Sequence, residues 1–382
     1  MKNYDVVIIG AGSVGLPIAY YMSQKNISVA VIEKEPSVGC GQNRTAIGGI
    51  RATHSDPAKI AICQESIRCV SNMHDHHGID IHWKQGGYLY PVYQEEDEKI
   101  LKDLLHIQKQ FHLHIDWISP EDISLLVPGI NKTNLRGGTF SPEDGSASPL
   151  RTADAYYQLA RQHGVTFFFN EKVEDITSNG KRITEVLTPH HRFSAGLIIN
   201  CAGAHARKIG LITQHDFPVY PDSHEAGITE PVQHLFDPMI VDMRPENTSK
   251  NYYFYQNIEG QVVFCITPSP IKSGFDRDNT SEFLPTVIRR MIDIFPRFRH
   301  LRVRRTWRGL YPMTPDGFPL IGFNRELENN FLAIGMCGQG YMLGPGLGKI
   351  LADTLIDHSD KYDFILEQLN PYRSFDTEET LK

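Results

Sequence analysis

Apolar and polar positions fall along this chain in blocks whose period and length predict the elements. Asp5-Val6-Val7-Ile8-Ile9 is a short, mostly β-branched apolar run, the pattern of a buried parallel strand. A glycine turn follows, Gly10-Ala11-Gly12-Ser13-Val14-Gly15, and then helical periodicity over residues 16–24. A second apolar strand, Val29-Ala30-Val31-Ile32, ends at Glu33.

Further on, Asp56-Pro57 predicts an N-cap with proline in the first helical turn, opening a helix to about residue 73. Residues 87–92 read as a strand, 95–112 and 150–163 as helices, and Asp144-Gly145 as a turn. Residues 165–169, 173–176 and 183–187 are strand-like, with Asn179-Gly180 as a hairpin turn. The strand 193–200 runs into Cys201-Ala202-Gly203-Ala204, returning the chain to the first sheet. Residues 216–320 are strand-rich and suit a mixed or antiparallel sheet over a pocket. A late strand at 331–334 enters a second glycine-rich turn, 335–348, with a closing helix over roughly 346–357. The last ten residues are polar and read as a frayed end.

Strand, glycine turn, helix, strand and acid form a dinucleotide-binding unit. Gly10 permits the tight turn, Gly12 lets a pyrophosphate approach the backbone, and Gly15 lets helix and strand pack closely. The helix N-terminus offers free N–H groups and partial positive charge to phosphates. Glu33, about 20 residues after the turn, can accept from ribose hydroxyls.

With 382 residues, 41% of them hydrophobic, the chain suits two domains or one with a large insertion. No apolar stretch approaches the roughly 18 residues of a membrane span, and residue 5 already belongs to the fold rather than to a secretory signal. A net charge of −7 without a long basic run argues against nucleic acid. The six cysteines are scattered and unpaired in pattern, as in a reduced, cytoplasmic protein. His74, His76, His77 and His82 lack ligand spacing from a second segment, so they read as a solvated helix end and no metal site is expected.

Separated motifs then coincide: residues 7–15 and Val31-Ile32-Glu33-Lys34, Gly48-Gly49-Ile50-Arg51, residues 198–204, Arg305 through Tyr311, Thr314-Pro315-Asp316-Gly317, and Gly335 through Met342. In order and distance these resemble the FAD-dependent D-amino-acid oxidase/glycine oxidase/sarcosine oxidase superfamily. Within it, the β subunits of sarcosine oxidase and of dye-linked L-proline dehydrogenase are the nearest in pattern. The resemblance implies an α/β fold: a Rossmann-like FAD domain of the glutathione-reductase type with a discontinuous α+β substrate domain. The expected divisions are 1–85, 145–215 and 325–370 for FAD, and 86–144 and 216–324 for substrate.

The resemblance implies that FAD meets Gly10, Gly12, Ser13, Val14, Gly15, Glu33, Lys34, Arg44, Thr45, Gly48, Val173, Cys201, Ala202, Gly203 and Gly309, and at the other end Gly338, Gln339, Gly340, Tyr341 and Met342. Gly338, Gly340, Gly344 and Gly346 are expected to let backbone pass close to a flat ring. Arg51 stands where relatives grip a substrate carboxylate, a task that suits a guanidinium fork. Tyr253 matches an active-site tyrosine, although its aromatic strand equally suits a core position. His224 matches a histidine near the pocket that could take an amine proton, or it is structural. Tyr311 replaces a carboxylate-binding arginine of glycine oxidases. Gly309 stands where monomeric sarcosine oxidases tether FAD through cysteine, so non-covalent FAD is expected. The strand 261–266 lacks the lysine that activates oxygen in those oxidases, which favours another electron acceptor. Met342 replaces a carboxylate-binding lysine.

The activity implied is oxidation of the C–N bond of a small amino acid or secondary amine by hydride transfer to flavin N5, giving an imine that hydrolyses. Two alternatives stand beside it: oxidation of a 2-hydroxy acid, and a non-catalytic flavin-carrying subunit of a hetero-oligomeric electron-transfer complex.

Overall fold

The computed structural model describes residues 1–376 and 378–381. Two large sheets organise it. The first runs in the order Leu320–Phe323, Asn330–Ile334, Arg192–Asn200, Lys2–Ile9, Val29–Ile32, Thr166–Phe168, with the hairpin Asp175–Asn179 and Arg182–Leu187 joined to Arg192–Asn200. From Asn330–Ile334 to Thr166–Phe168 the neighbours are parallel. The apolar run at residues 6–9 is buried on both faces. Val6 and Ile8 pack with the helices Gly15–Ser23, Pro57–Ser71, Pro149–Gln162 and Gly340–Leu355, while Val7 and Ile9 pack with Val173, Ile176, Ile183 and Val186 beneath.

The second sheet runs Val303–Met313, Tyr220–Pro231, Gln261–Pro268, Ser249–Gln256, Met239–Asp242, Tyr88–Val92, Gly137–Ser141, Asp116–Ile118. It is antiparallel except where Met239–Asp242 lies parallel to Tyr88–Val92. Its faces divide by residue parity. Leu89, Ile240, Tyr252, Phe254 and Phe264 pack under the helix Phe283–Ile294, whereas Tyr88, Tyr90, Met239, Val241, Tyr253 and Tyr255 share the opposite face.

Three expectations change. The strand Leu320–Phe323 pairs antiparallel with Asn330–Ile334, so the chain rejoins the first sheet before residue 325. The closing helix begins at Gly340, with Pro345 inside it. Its glycines are packing positions. A Cβ on Gly344 would lie 1.8 Å from the Ser13 carbonyl oxygen, one on Gly346 2.1 Å from that of Ile62, and one on Gly348 2.6 Å from Pro17. Gly344 and Gly346 thus bring helices together, not backbone to a ring. Finally, two of the residues expected to fray are buried: Glu379 and Leu381 are each 3% exposed. Glu379 can be buried because it forms an ion pair with the equally buried Lys59.

Candidate active site

A cavity of about 860 Å³ runs between the two sheets, bordered by both glycine loops. At Gly10 the backbone turns with φ +112°, and a Cβ there would lie 2.6 Å from the Cys201 carbonyl oxygen. A Cβ on Gly15 would lie 2.0 Å from the Gly10 oxygen, so Gly15 serves helix–strand packing and stays off the cavity. A Cβ on Gly12 would meet nothing within 4 Å, because Gly12 opens onto the cavity.

Glu33 reaches the same loop. Its carboxylate accepts from the Ala11 N–H at 2.8 Å and the Glu35 N–H at 2.9 Å, and burial raises its pKa. Lys34 lies 3.2 Å from His205 Nε2, and both line the cavity with Lys208. Burial first, then Lys34 and Lys208, holds His205 down at about 4, which leaves it neutral at pH 7. Ser13, Val14, Thr45, Gly48, Val173, Cys201, Ala202 and Gly203 also line this space. Arg44 is exposed and off the cavity. Gly309 is off it as well: a Cβ there would lie 2.5 Å from Thr45 Oγ1.

At the other loop, Gly338, Gln339, Gly340, Tyr341 and Met342 line the cavity, at the N-terminus of the Gly340–Leu355 helix. Gln339 Oε1 is buried without a protein partner. An open glycine at one end and an orphaned acceptor at the other fit an extended dinucleotide cofactor.

Between the loops lies a chamber walled by the second sheet's inner face. Tyr253 and Tyr311 meet there, hydroxyl to hydroxyl, at 2.9 Å. Burial raises both phenols well above their ordinary range, so both keep their protons. A Cβ on Gly338 would lie 2.2 Å from the Tyr311 ring, so the glycine lets that ring pass. His224 does not line the cavity. It stacks behind Tyr311 at 3.7 Å between centroids, with Nε2 3.1 Å from Asp222 Oδ2. Burial alone would raise Asp222, but the bonds from His224 and from the Ser223 and Lys272 N–H groups hold it below its ordinary value. His224 is therefore placed to orient Tyr311 rather than to meet a ligand.

Arg51 lines the chamber and is itself buried. Its Nη1 donates to the Thr53 carbonyl and lies 3.2 Å from His54 Nδ1; its Nη2 donates to the Leu381 carbonyl at 2.7 Å. Asp144 steadies the backbone beside it, accepting from the Ala52 N–H at 2.8 Å and the Thr53 hydroxyl at 2.6 Å. Burial pushes Asp144 up to about 6. Sequence reasoning left out Tyr88, Tyr90, Met239 and Val241, which line the chamber. Strand parity at Tyr88-Leu89-Tyr90 would have put the two tyrosines on one face; nothing local in the sequence tells which face meets the cavity.

Such a two-sheet architecture, with a cavity strung between two glycine loops, defines a flavoprotein oxidoreductase. The chain belongs to the FAD dependent oxidoreductase (DAO) family, whose model matches residues 5–354. It is therefore FAD-dependent. It is 26% identical to hydrogen cyanide synthase subunit HcnC of Pseudomonas aeruginosa, covering 93% of each chain. It is 25% identical to sarcosine oxidase subunit beta of an Arthrobacter species, covering 96% of this chain and 91% of that one. Among solved structures it resembles L-proline dehydrogenase from P. horikoshii, at TM-score 0.91 and 28% identity over 97% of this chain and 98% of the other. Among the described residues no helix is long and apolar enough to cross a membrane.

Proposed function

We propose that this FAD enzyme oxidises the C–N bond of a small amino acid or secondary amine, with Arg51 holding the carboxylate and the Tyr253–Tyr311 pair orienting the amine. The observation that carries this reading is the pairing, in one chamber, of a buried guanidinium with two protonated phenols. The amine must be neutral when its α-hydrogen leaves, since only its lone pair can support the forming imine. Arg51 brings positive charge close and so lowers the amine's pKa. The tyrosines can accept from its N–H while turning the α-carbon inward. Tyr88, Tyr90, Met239 and Val241 exclude water around the substrate's apolar part. When bound, FAD supplies the two-electron acceptor.

Ten residues besides Glu33 are proposed to hold the cofactor most closely: Gly10, Gly12, Ser13, Val14, Thr45, Gly48, Ala202, Gly338, Gln339 and Gly340. Non-covalent attachment is supported at Gly309, where a cysteine would collide with Thr45. An acceptor other than oxygen is supported by the strand Gln261–Pro268, which lends the cavity Thr267 and contains no lysine. Two similar proteins bear subunit names, which supports partner subunits here.

The test is anaerobic addition of L-proline, sarcosine, glycine or 2-hydroxyglutarate to the FAD-loaded chain, followed by dye-coupled turnover. An amino acid should bleach the flavin absorbance. Bleaching by 2-hydroxyglutarate alone would overturn the amine reading. Bleaching by none, with turnover only in a reconstituted complex, would favour a flavin-carrying subunit.

A further inference from the structure

A guanidinium carries five N–H groups, and the protein takes three of those on Arg51. The Thr53 carbonyl and His54 Nδ1 face Nη1, and the Leu381 carbonyl accepts from Nη2 at 2.7 Å. None of these three residues lines the cavity, so they hold the guanidinium from behind. One hydrogen on Nε and one on Nη2 are left without a protein acceptor among the described residues. Two free donors match the two oxygens of a carboxylate.

The two carbonyls can only accept. His54 differ from them, because an imidazole nitrogen either accepts or donates. A guanidinium offers no acceptor, so a bare Nδ1 is what fits 3.2 Å from Arg51 Nη1. The rest of the ring's surroundings keep it bare. His54 is fully buried, and burial first, then Arg51 and Lys59, hold its pKa well below the ordinary value, so the ring is neutral and has one proton. That proton is then on Nε2, which lies 3.4 Å from Cys63 Sγ. Cys63 accepts there and donates in turn. Burial pushes its thiol up to about 12, so Sγ keeps its hydrogen, and the Met342 carbonyl lies 3.9 Å away. The bonds all run one way, from Arg51 through His54 and Cys63 to Met342. Both ends of this relay line the cavity and its middle lies behind the wall. Sulfur is a weak partner, and its part here is to fix the tautomer of His54.

We propose that His54 is a positioning residue of the carboxylate site: by accepting at Nδ1 it sets the Arg51 guanidinium so that the two uncommitted N–H groups are free for a substrate carboxylate. This rests on the carboxylate role of Arg51 proposed above. Without that acceptor an Nη1 hydrogen is stranded in a buried place, and the guanidinium turns to find another partner.

Two measurements test it. In protein labelled with isotopic histidine nitrogen, the His54 signals are those absent from His54→Asn. At pH 7 they should show a bare Nδ1 and a protonated Nε2. The second probe is benzoate, a carboxylate without an oxidisable amine, titrated by flavin absorbance into the FAD-loaded parent, His54→Leu and His54→Asn. Benzamide, the same ring with an uncharged amide, is titrated in parallel. His54→Leu should weaken benzoate about tenfold, since a charged group loses one of its three protein contacts. His54→Asn has a side-chain oxygen that can still accept from Arg51, and it should bind within about threefold of the parent. Benzamide should bind all three alike. A proton on Nδ1 would overturn the inference, and so would benzamide weakened as much as benzoate, the mark of a purely structural role. If His54→Leu does not fold, the tautomer and His54→Asn decide, and a tenfold loss of benzoate in His54→Asn overturns the inference. Benzoate binding lost in Arg51→Gln but unchanged in His54→Leu overturns this inference alone. Binding absent from the parent, or indifferent to Arg51→Gln, overturns the carboxylate reading along with it.

Discussion

Tyr253 and Tyr311 come from strands that are not neighbours in the second sheet, yet their hydroxyls meet at 2.9 Å over the chamber. Each is the other's hydrogen-bond partner in a region where burial keeps both phenols protonated. Removing one hydroxyl leaves the other only the Cys265 thiol, a weaker partner, at a cost of about 1 kcal/mol. Tyr253→Phe and Tyr311→Phe should therefore each lower the thermal midpoint of the apoprotein. The double variant should recover most of that loss while turning substrate over no better than either single one. A double variant as unstable as the sum of the singles would show that the hydroxyls act apart.

Gly12, in the N-terminal glycine turn, and Gly344, in the helix Gly340–Leu355, are glycines for opposite physical reasons. Gly12 faces open cavity; Gly344 lies against the Ser13 carbonyl. Gly12→Ala should leave apoprotein unfolding unchanged and weaken FAD retention. Gly344→Ala gains about 1 kcal/mol of helix propensity. It must also separate two packed helices, because a Cβ there would sit 1.8 Å from a backbone oxygen. Unfolding midpoint and FAD retention should both fall. Denaturant melts of apoprotein and holoprotein, run side by side, separate the two cases.

The nucleotide unit was legible because its signals are local: a strand, three glycines and an acid within one βαβ stretch. The hairpin around Gly180 was legible for the same reason. The strand Val303–Met313 was not read as one, since Arg304, Arg305 and Arg308 interrupt its apolar pattern. The start of the helix Gly340–Leu355 was hidden by Pro345 and four glycines, residues that break helices in isolation and are kept here for packing. The burial of Glu379 and Leu381 was hidden too. Glu379 and Leu381 look polar and frayed until Lys59 and Arg51 are brought to them by tertiary structure, and no local pattern carries that information.

Asp144 ties pH to stability. Its folded pKa, about 6, lies above the ordinary aspartate value because of burial. A raised acid contributes stability that is full below its unfolded pKa and is lost as pH rises through the folded one. The window is therefore about pH 4 to 6. Asp144→Asn cannot titrate, so it should gain on the parent by about 2–3 kcal/mol across that window. Urea unfolding at several pH values measures this; a gap independent of pH would remove Asp144 as its source.

Arg51 is the cation proposed to tell an amino acid from a plain amine. Charge-assisted hydrogen bonds contribute about 1.5–3 kcal/mol, so losing the guanidinium fork should cost about a hundredfold in apparent substrate affinity. Arg51→Lys keeps the charge and loses the planar fork. Its KM for an amino-acid substrate such as L-proline should rise by about that factor, with kcat changed far less, as for binding shared by ground and transition states. Pyrrolidine has the same ring nitrogen and no carboxylate, and its turnover should be indifferent to the substitution. The preference for L-proline over pyrrolidine should therefore collapse in Arg51→Lys. If both substrates lose turnover equally, Arg51 supports the chamber's structure and the carboxylate is held elsewhere.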